Sequence, residues 1–230
     1  MIINDLILPE KPNLILSEKN KSVFEIKPLY PGYGVTLGNA LRRVLLSSLE
    51  GAAITKVKIQ DVLHEFSTLP GVQEDILDIT LSLKKIRFKL DIAGPVELRL
   101  SVSGKKEVTA KDIELVSGVN IINLDHHIAT LTDSKAKLDM TMTVEKGRGY
   151  SPAEERTKDR IVAGEIILDA IFSPVVNAVY EVENIRYQDR IDYNLLRLTI
   201  ETDGTMTPEE AFNNSVKILI NQFNSLINEN

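Results

Sequence analysis

The chain has 230 residues, of which 43% are hydrophobic and 26% are charged, a composition typical of globular domains. It carries 27 Lys and Arg against 33 Asp and Glu, a net charge of −6, and contains neither Cys nor Trp. These counts exclude disulfides, cysteine-based zinc sites and thiol catalysis, and they argue against a stand-alone nucleic-acid-binding module.

The N-terminal twenty residues have apolar patches interrupted by Asp5, Glu10 and Lys11. No basic region leads into an apolar core, so we expect no signal peptide. No run approaches the roughly 18 apolar residues of a membrane span. The sequence therefore predicts a cytoplasmic protein without membrane association.

Most of the chain alternates apolar and polar residues with a period of two, the pattern of strands that bury one face. The alternation is clearest at residues 96–102 and 138–144. Five further segments are predicted as strands on the same grounds: residues 22–29, 53–60, 86–92, 175–187 and 195–201. Turn residues such as Gly94-Pro95 and Asp203-Gly204 separate them.

Two helices are predicted in the first half of the chain. The first spans about residues 37–49, with Thr36 as N-cap and Gly51 just past the end. The second spans about residues 72–84 and carries an apolar stripe that includes Val72 and Ile76.

A third helix follows Thr207-Pro208-Glu209-Glu210, a capping box with proline at the first helical position. Its apolar stripe comprises Phe212, Val216, Leu219, Ile220, Phe223, Leu226 and Ile227. Many strands with few helices predict an α+β fold. The polar segment 147–160 is predicted to be a long mobile loop.

No arrangement of residues indicates a catalytic or metal site. The histidines are His64, His126 and His127, and adjacent residues on a strand point to opposite faces, so the pair makes poor co-ligands. Nucleophile motifs are missing, and Gly147-Arg148-Gly149 is too short for a phosphate-binding loop. We therefore predict no catalytic residue, no metal and no cofactor, which disfavours an enzyme in its own right.

The first helix has two distinct faces. At about 100° per residue, one face carries Leu37, Leu41, Val44 and Leu45, and the opposite face carries Arg42, Arg43 and Leu46. Arginine beside an apolar anchor is typical of a protein–protein hot spot, but a single exposed leucine is also common on ordinary surfaces. The stripe of the third helix either closes the core or lies against another chain.

Residues 32–48, GYGVTLGNALRRVLLSS, resemble the signature of the bacterial RNA polymerase alpha subunit family. Further blocks follow in the family's order and span nearly the whole chain: residues 62–68, 71–77, 147–150, 172–175, 202–205 and 208–211.

The resemblance implies the fold of the alpha N-terminal domain. Residues 1–52 and 173–230 would form a discontinuous dimerisation subdomain, and residues 53–172 an inserted, mostly β subdomain that interacts with the beta and beta-prime subunits. The family's C-terminal DNA-binding domain would be absent from a chain that stops at Asn230, so no direct DNA binding is expected.

The resemblance also implies a function: a non-catalytic subunit of DNA-directed RNA polymerase, a nucleotidyltransferase whose active site lies on the large subunits. Its homodimer would scaffold beta and beta-prime in the core enzyme, which omega and sigma join in the holoenzyme. The alternative is a stand-alone protein-interaction module.

The resemblance assigns roles to individual residues. Arg43 and Leu46, with Arg42, would bind beta, and Lys84 would contact a large subunit. The dimer interface would comprise Leu37, Leu41, Val44, Leu45, Phe212, Val216, Leu219 and Phe223.

Overall fold

A computed structural model describes residues 6–156 and 164–227 of the chain. They belong to two compact units. Unit 1 takes the described residues of Met1–Leu49 and Ser173–Asn230, and unit 2 takes those of Glu50–Phe172. Both units combine antiparallel sheet with helix, which confirms the predicted α+β class.

The elements are numbered in chain order. The strands are β1 (Asn13–Ser17), β2 (Lys21–Leu29), β3 (Glu50–Ile59), β4 (Phe88–Leu90), β5 (Val96–Ser103), β6 (Lys106–Thr109), β7 (Ile113–Glu114), β8 (Val119–Ile121), β9 (His127–Leu131), β10 (Lys137–Arg148), β11 (Tyr150–Ser151), β12 (Glu165–Ile167), β13 (Ala170–Ile171), β14 (Val175–Tyr187) and β15 (Arg190–Thr202). The helices are α1 (Tyr33–Ser47), α2 (Ile76–Leu83), α3 (Ala153–Arg156) and α4 (Pro208–Asn224), with a short 3₁₀ turn at Ala110–Asp112.

Unit 1 is a four-stranded antiparallel sheet in the order β1-β2-β15-β14, with α1 and α4 packed on one face. Alternation along residues 21–28 of β2 and 196–202 of β15 buries every second side chain. The buried set includes Phe24, whose ring stacks on that of Phe212 from α4 with centroids 4.7 Å apart. The sheet and both helices therefore share one core.

Unit 2 is built on an antiparallel sheet in the order β7-β5-β10-β3-β4-β8, and β12 pairs with β3. Two small sheets, β6–β9 and β11–β13, complete it, and α2 packs against β9. Leu138, Met140, Met142 and Val144 of β10 all point inward and are at most 1% exposed. The predicted alternation of this strand is confirmed.

The helix predictions succeed to different degrees. For α4, Thr207 accepts from the Glu210 N–H at 3.2 Å, and the Glu210 carboxylate accepts from the Thr207 N–H at 3.1 Å, so the predicted capping box is confirmed. For α2, the predicted start was wrong. Val72 forms a bridge with Leu131, and the helix is capped by Asp75, which accepts from the Asp78 N–H at 2.7 Å.

The predicted N-cap of α1 was also wrong. The helix begins four residues before the position expected and is preceded by Gly32, whose φ of 88° lies in the left-handed region that glycine favours. Thr36 lies in the first turn, and its hydroxyl donates to the Gly32 carbonyl at 3.3 Å.

The segment predicted to be a mobile loop is largely regular structure. Gly147 and Arg148 continue β10 and pair with Gly51 and Glu50 of β3. The segment then forms β11 and the single turn α3. Residues 157–160 of the predicted loop lie outside the described residues.

No helix within the described ranges is long and apolar enough to cross a membrane.

Candidate protein-interaction surfaces

Helix α1 lies against the sheet of unit 1 through two glycines. A Cβ built on Gly38 would lie 2.5 Å from Tyr180 Cδ2 and 2.9 Å from Leu196 Cδ1, so no side chain fits between helix and strands. Gly34, Leu41 and Leu45 are buried on the same face. The buried face is therefore centred on the glycines, and Leu37 and Val44, placed at its centre by the sequence, lie half-buried at its margin.

Arg43 points away from this buried face. At about 100° per residue it lies about 170° from the centre of the glycine face, and its side chain is exposed. No acceptor within residues 6–156 and 164–227 pairs with its guanidinium, whereas Arg42 Nε donates to the Ala178 carbonyl at 3.1 Å. Arg43 is thus the arginine of the pair whose donors are uncommitted.

Leu46 does not share the exposure of Arg43. The sequence placed it on the outward face, but its side chain is half-buried and packs against the core of unit 1. The reason is the position of the buried face, which is rotated toward Leu46 because the glycines, and not Leu37, approach the sheet. The placement of Leu46 on the face opposite the core was therefore wrong.

An open apolar groove of about 660 Å³ runs between α1, α4 and the segment before β1. Its lining comprises Pro9, Glu10, Pro12, Ile26, Leu37, Leu41, Phe212, Asn213, Val216, Lys217, Leu219, Ile220 and Phe223. Ile220 is 51% exposed and Phe223 61% exposed. The apolar face continues past the helix end to Leu226 and Ile227, which are also exposed.

The groove separates the predicted dimer residues that reach the surface from those in the core, and Val44, which is half-buried, does not line it. Leu37, Val216, Leu219 and Phe223 line it and are at least partly exposed, and Leu41 reaches it from the core. Leu45 is fully enclosed and Phe212 is 8% exposed beneath Phe24. Leu45 fills the core of its own unit and is out of reach of another chain, whereas Phe212 packs in the same core and also lines the groove, so its place in the dimer interface stays a prediction.

Lys84 in unit 2 is engaged within its own unit. It caps the C-terminus of α2, and its ammonium donates to Asp169 Oδ2 at 2.9 Å. Asp169 Oδ1 accepts from the Ala153 N–H at 2.9 Å, and this bond, with that from Lys84, holds the pKa of Asp169 below its usual range. Any partner carboxylate would have to compete with Asp169 for Lys84.

The large apolar side chains that unit 2 exposes include two, Leu63 and Phe66, that the sequence motifs did not single out. Leu63 is 81% exposed and Phe66 is 74% exposed. Their loop is held by the Ser67 hydroxyl, which donates to the His64 carbonyl at 2.8 Å, and by the Ile76 N–H, which donates to the Ser67 carbonyl at 3.2 Å. The signal available in the sequence was two large apolar residues, Leu63 and Phe66, in a segment without the alternation of a strand.

Among the described residues, no group of three or more His, Asp or Glu side chains could hold a metal ion. The adjacent histidines diverge: His126 Nε2 lies 2.9 Å from the Ser82 carbonyl, and His127 Nε2 lies 3.0 Å from Thr130 Oγ1. Both imidazoles make local structural contacts.

Comparison with known families matches residues 57–173 to the RNA polymerase Rpb3/RpoA insert domain. This match covers most of unit 2. Over 218 residues the chain is 47% identical to the DNA-directed RNA polymerase subunit alpha of Flavobacterium psychrophilum, covering 94% of this chain and 66% of that protein. The chain belongs to the bacterial RNA polymerase alpha subunit family. The resemblance carried by residues 32–48 and the later blocks is thereby confirmed.

Two further relatives agree. The chain is 48% identical over 216 residues to the subunit alpha of a Roseiflexus species and 48% identical over 223 residues to that of Herpetosiphon aurantiacus. These matches cover 94% and 97% of this chain and 66% of each relative. The chain thus spans about two thirds of the length of the curated relatives that it matches.

Proposed function

We propose that the chain acts as the non-catalytic alpha subunit of a DNA-directed RNA polymerase in the cytoplasm. In this proposal two copies form a homodimer, and the dimer holds the beta and beta-prime subunits. The observation that carries it concerns α1: one margin of the helix lines an open apolar groove, while the opposite face exposes Arg43, whose guanidinium has no partner among the described residues. One rigid helix can therefore serve two interfaces.

The occupant that we propose for the groove is a second copy of the chain. Phe223 and Ile220 protrude from the same α4 that forms one wall of the hollow. A surface with both projections and a hollow can complement itself around a two-fold axis. Permanent homodimers of this kind bury about 2,000 Å² or more, and the apolar face of α4 provides a continuous surface for such an interface.

Sedimentation of a Phe223→Asp variant tests the homodimer. An unpaired carboxylate in an apolar interface is costly, so the variant should shift toward monomer at micromolar concentration while the parent sediments as a dimer. Asn221→Asp is the matched control, because it adds the same charge to an exposed position of α4 outside the groove. A parent that sediments as monomer, or equal behaviour of the two variants, would contradict the assignment.

For beta, we propose Arg43 as the principal contact, supported by Leu46 and Arg42. Arginine is enriched at hot spots because its planar fork binds carboxylates and carbonyls with several hydrogen bonds. The half-burial of Leu46 and the bond of Arg42 to Ala178 make these two residues supports of the surface. Lys84 stays a predicted contact with a large subunit, and omega and sigma are expected to join in the holoenzyme.

Stepwise reconstitution tests the assembly role. Tagged beta should retain the homodimer, and the resulting complex should then retain beta-prime. The isolated chain should incorporate no nucleotide, because no carboxylate cluster for the two metal ions of a polymerase is expected on it. If neither large subunit is retained, the alternative of a stand-alone interaction module is favoured. If the highly purified chain alone incorporates nucleotides, the non-catalytic assignment is wrong.

A further inference from the structure

Helix α1 starts without a capping side chain of its own. The residue before it, Gly32, has no side chain, and the first turn contains no acidic residue. Four N–H groups at a helix N-terminus have no partner within the helix. Two N–H groups at the start of α1, those of Gly32 and Gly34, are instead bound by Asn194 Oδ1 from β15, at 2.9 Å and 3.3 Å.

The amide of Asn194 is fixed from both sides. Its side chain is buried, with 6% of the residue exposed. Its Nδ2 donates to Asn184 Oδ1 on the neighbouring strand β14 at 3.0 Å, which leaves the carbonyl oxygen facing α1. A residue 160 positions away along the chain therefore caps this helix, and the paired strands β15 and β14 hold the cap in place.

The contacts between α1 and the sheet fix its distance from the sheet, the face that it turns to the sheet and its position along its own axis. A Cβ on Gly34 would lie 2.7 Å from Val182 Cγ1, so the two glycines set how closely the helix approaches and which face it turns to the sheet. The first turns of α1, which meet the sheet through glycines, offer few projections that could stop them from sliding along the helix axis, while Leu41 and Leu45 pack into the core further along. Among the described residues, the hydrogen bonds that join α1 to the sheet are those of Asn194 at the N-terminus and of Arg42 at mid-helix.

From this geometry we infer that Asn194 is a positioning residue for Arg43. Arg43 lies nine residues after Gly34, about 14 Å further along the axis, so Asn194 acts on it only through the placement of α1. The inference rests on the proposed function, in which Arg43 meets beta. It adds a residue of β15, distant from Arg43 in the sequence, that determines where the guanidinium is presented.

Two variants distinguish loss of the hydrogen-bond acceptor from replacement of the asparagine as such. Asn194→Ala removes the acceptor and leaves the Gly32 and Gly34 N–H groups without a partner. Asn194→Asp keeps an acceptor at the same place and adds a charge that the helix dipole favours. Because the Asn184 amide can turn to donate to the carboxylate, Asp is expected to restore the cap.

The first measurement is hydrogen–deuterium exchange of the homodimer alone. With Asn194→Ala, amide exchange should accelerate along α1 as far as Arg43, and Asn194→Asp should restore the parental rates. Acceleration confined to residues 33–36 would mean that only the first turn frays, and this result would overturn the inference. The exchange rates are measured without beta, so this result does not depend on binding to beta.

The second measurement is the affinity of the homodimer for purified beta, well below the melting temperature. Asn194→Ala should weaken binding about tenfold, the scale of a displaced hot-spot residue, and Asn194→Asp should recover most of that loss. Ile200→Val is the control for general destabilisation, because Ile200 is fully buried on the same strand. Parental affinity of Asn194→Ala, or an equal loss in Ile200→Val, would overturn the positioning role. If the parent itself fails to bind beta, the proposed function fails, and the exchange experiment still decides the role of Asn194.

Discussion

Replacing Gly38 with alanine sets two physical effects against each other. Gly38 is in the interior of α1 with an ordinary helical backbone, so alanine should improve helix propensity by about 1 kcal/mol. The new Cβ would, however, lie 2.5 Å from Tyr180 Cδ2, 2.8 Å from Tyr180 Cγ and 2.9 Å from Leu196 Cδ1. The sign of the change in stability therefore reports whether α1 lies on the sheet as described.

The magnitude follows from the overlap. Carbon atoms pack at about 3.5–4.0 Å, so the Cβ is about 1 Å too close to an aromatic ring, and either α1 or the Tyr180 ring must move. Overpacking a core in this way costs about 1–3 kcal/mol, and three atoms within 3 Å favour the upper end. After subtraction of the helix-propensity gain, the net loss is about 2 kcal/mol. For a chain of this size that corresponds to a decrease in Tm of about 4–8 °C.

Differential scanning calorimetry of the purified chain provides the assay. Asn39→Ala is the matched control, since it is the next residue of α1, is exposed, and gains helix propensity without a clash. Its Tm should be unchanged or slightly higher. A Gly38→Ala variant that melts at or above the parental temperature would refute the close approach of α1 to β14 and β15.

Two further predictions concern the capping box and the ion pair of unit 2. Thr207→Ala should remove about 1 kcal/mol of stability, measurable as a lower urea midpoint, and an unchanged midpoint would mean that the box at α4 contributes nothing. The folded-state pKa of Asp169 is lowered, so its stabilisation is complete above the ordinary carboxyl pKa of about 4 and is lost as pH falls through the lower folded value. The difference in urea midpoint between the parent and Asp169→Asn should therefore be constant near neutral pH and close below about pH 4; a difference that persists at pH 2 would contradict the role of the ionised carboxylate.

The parts of the fold that could be predicted are those specified locally. The α4 start is encoded in four consecutive residues, Thr207-Pro208-Glu209-Glu210, and the structure uses both of their capping bonds. Strands such as β10 have an alternation that needs only their own residues. Even for α4, the sequence did not decide which side of its stripe packs on the core and which side is left open as a groove.

The parts that escaped prediction depend on residues distant in the chain. The cap of α1 comes from Asn194, and its buried face is set by Gly34 and Gly38, which a count of apolar side chains treats as neutral. Leu46 was misplaced for the same reason. Gly38 indicates which face of α1 is buried only once its neighbour Tyr180 is known, because close approach depends on both residues.

Two errors in unit 2 have a similar origin. Val72 was assigned to a helix because its spacing matched Ile76, but its backbone is engaged by Leu131 from another part of the unit. Gly147 and Arg148 look like a polar loop in isolation, but their pairing with Gly51 and Glu50 extends β10. In both cases a sheet contact outweighed the local signal.

The measurement that tests the central claim most directly is the affinity of purified beta for the parent chain and for its Arg43→Ala variant. Because Arg43 is exposed and makes no polar contact with the described residues, its truncation should change stability by no more than about 0.5 kcal/mol. Loss of an arginine anchor at an interface costs about 2 kcal/mol or more, which is at least about tenfold in affinity. We predict that Arg43→Ala sediments as a dimer and melts like the parent but binds beta at least about tenfold more weakly. Equal affinity of the two homodimers for beta would contradict the account.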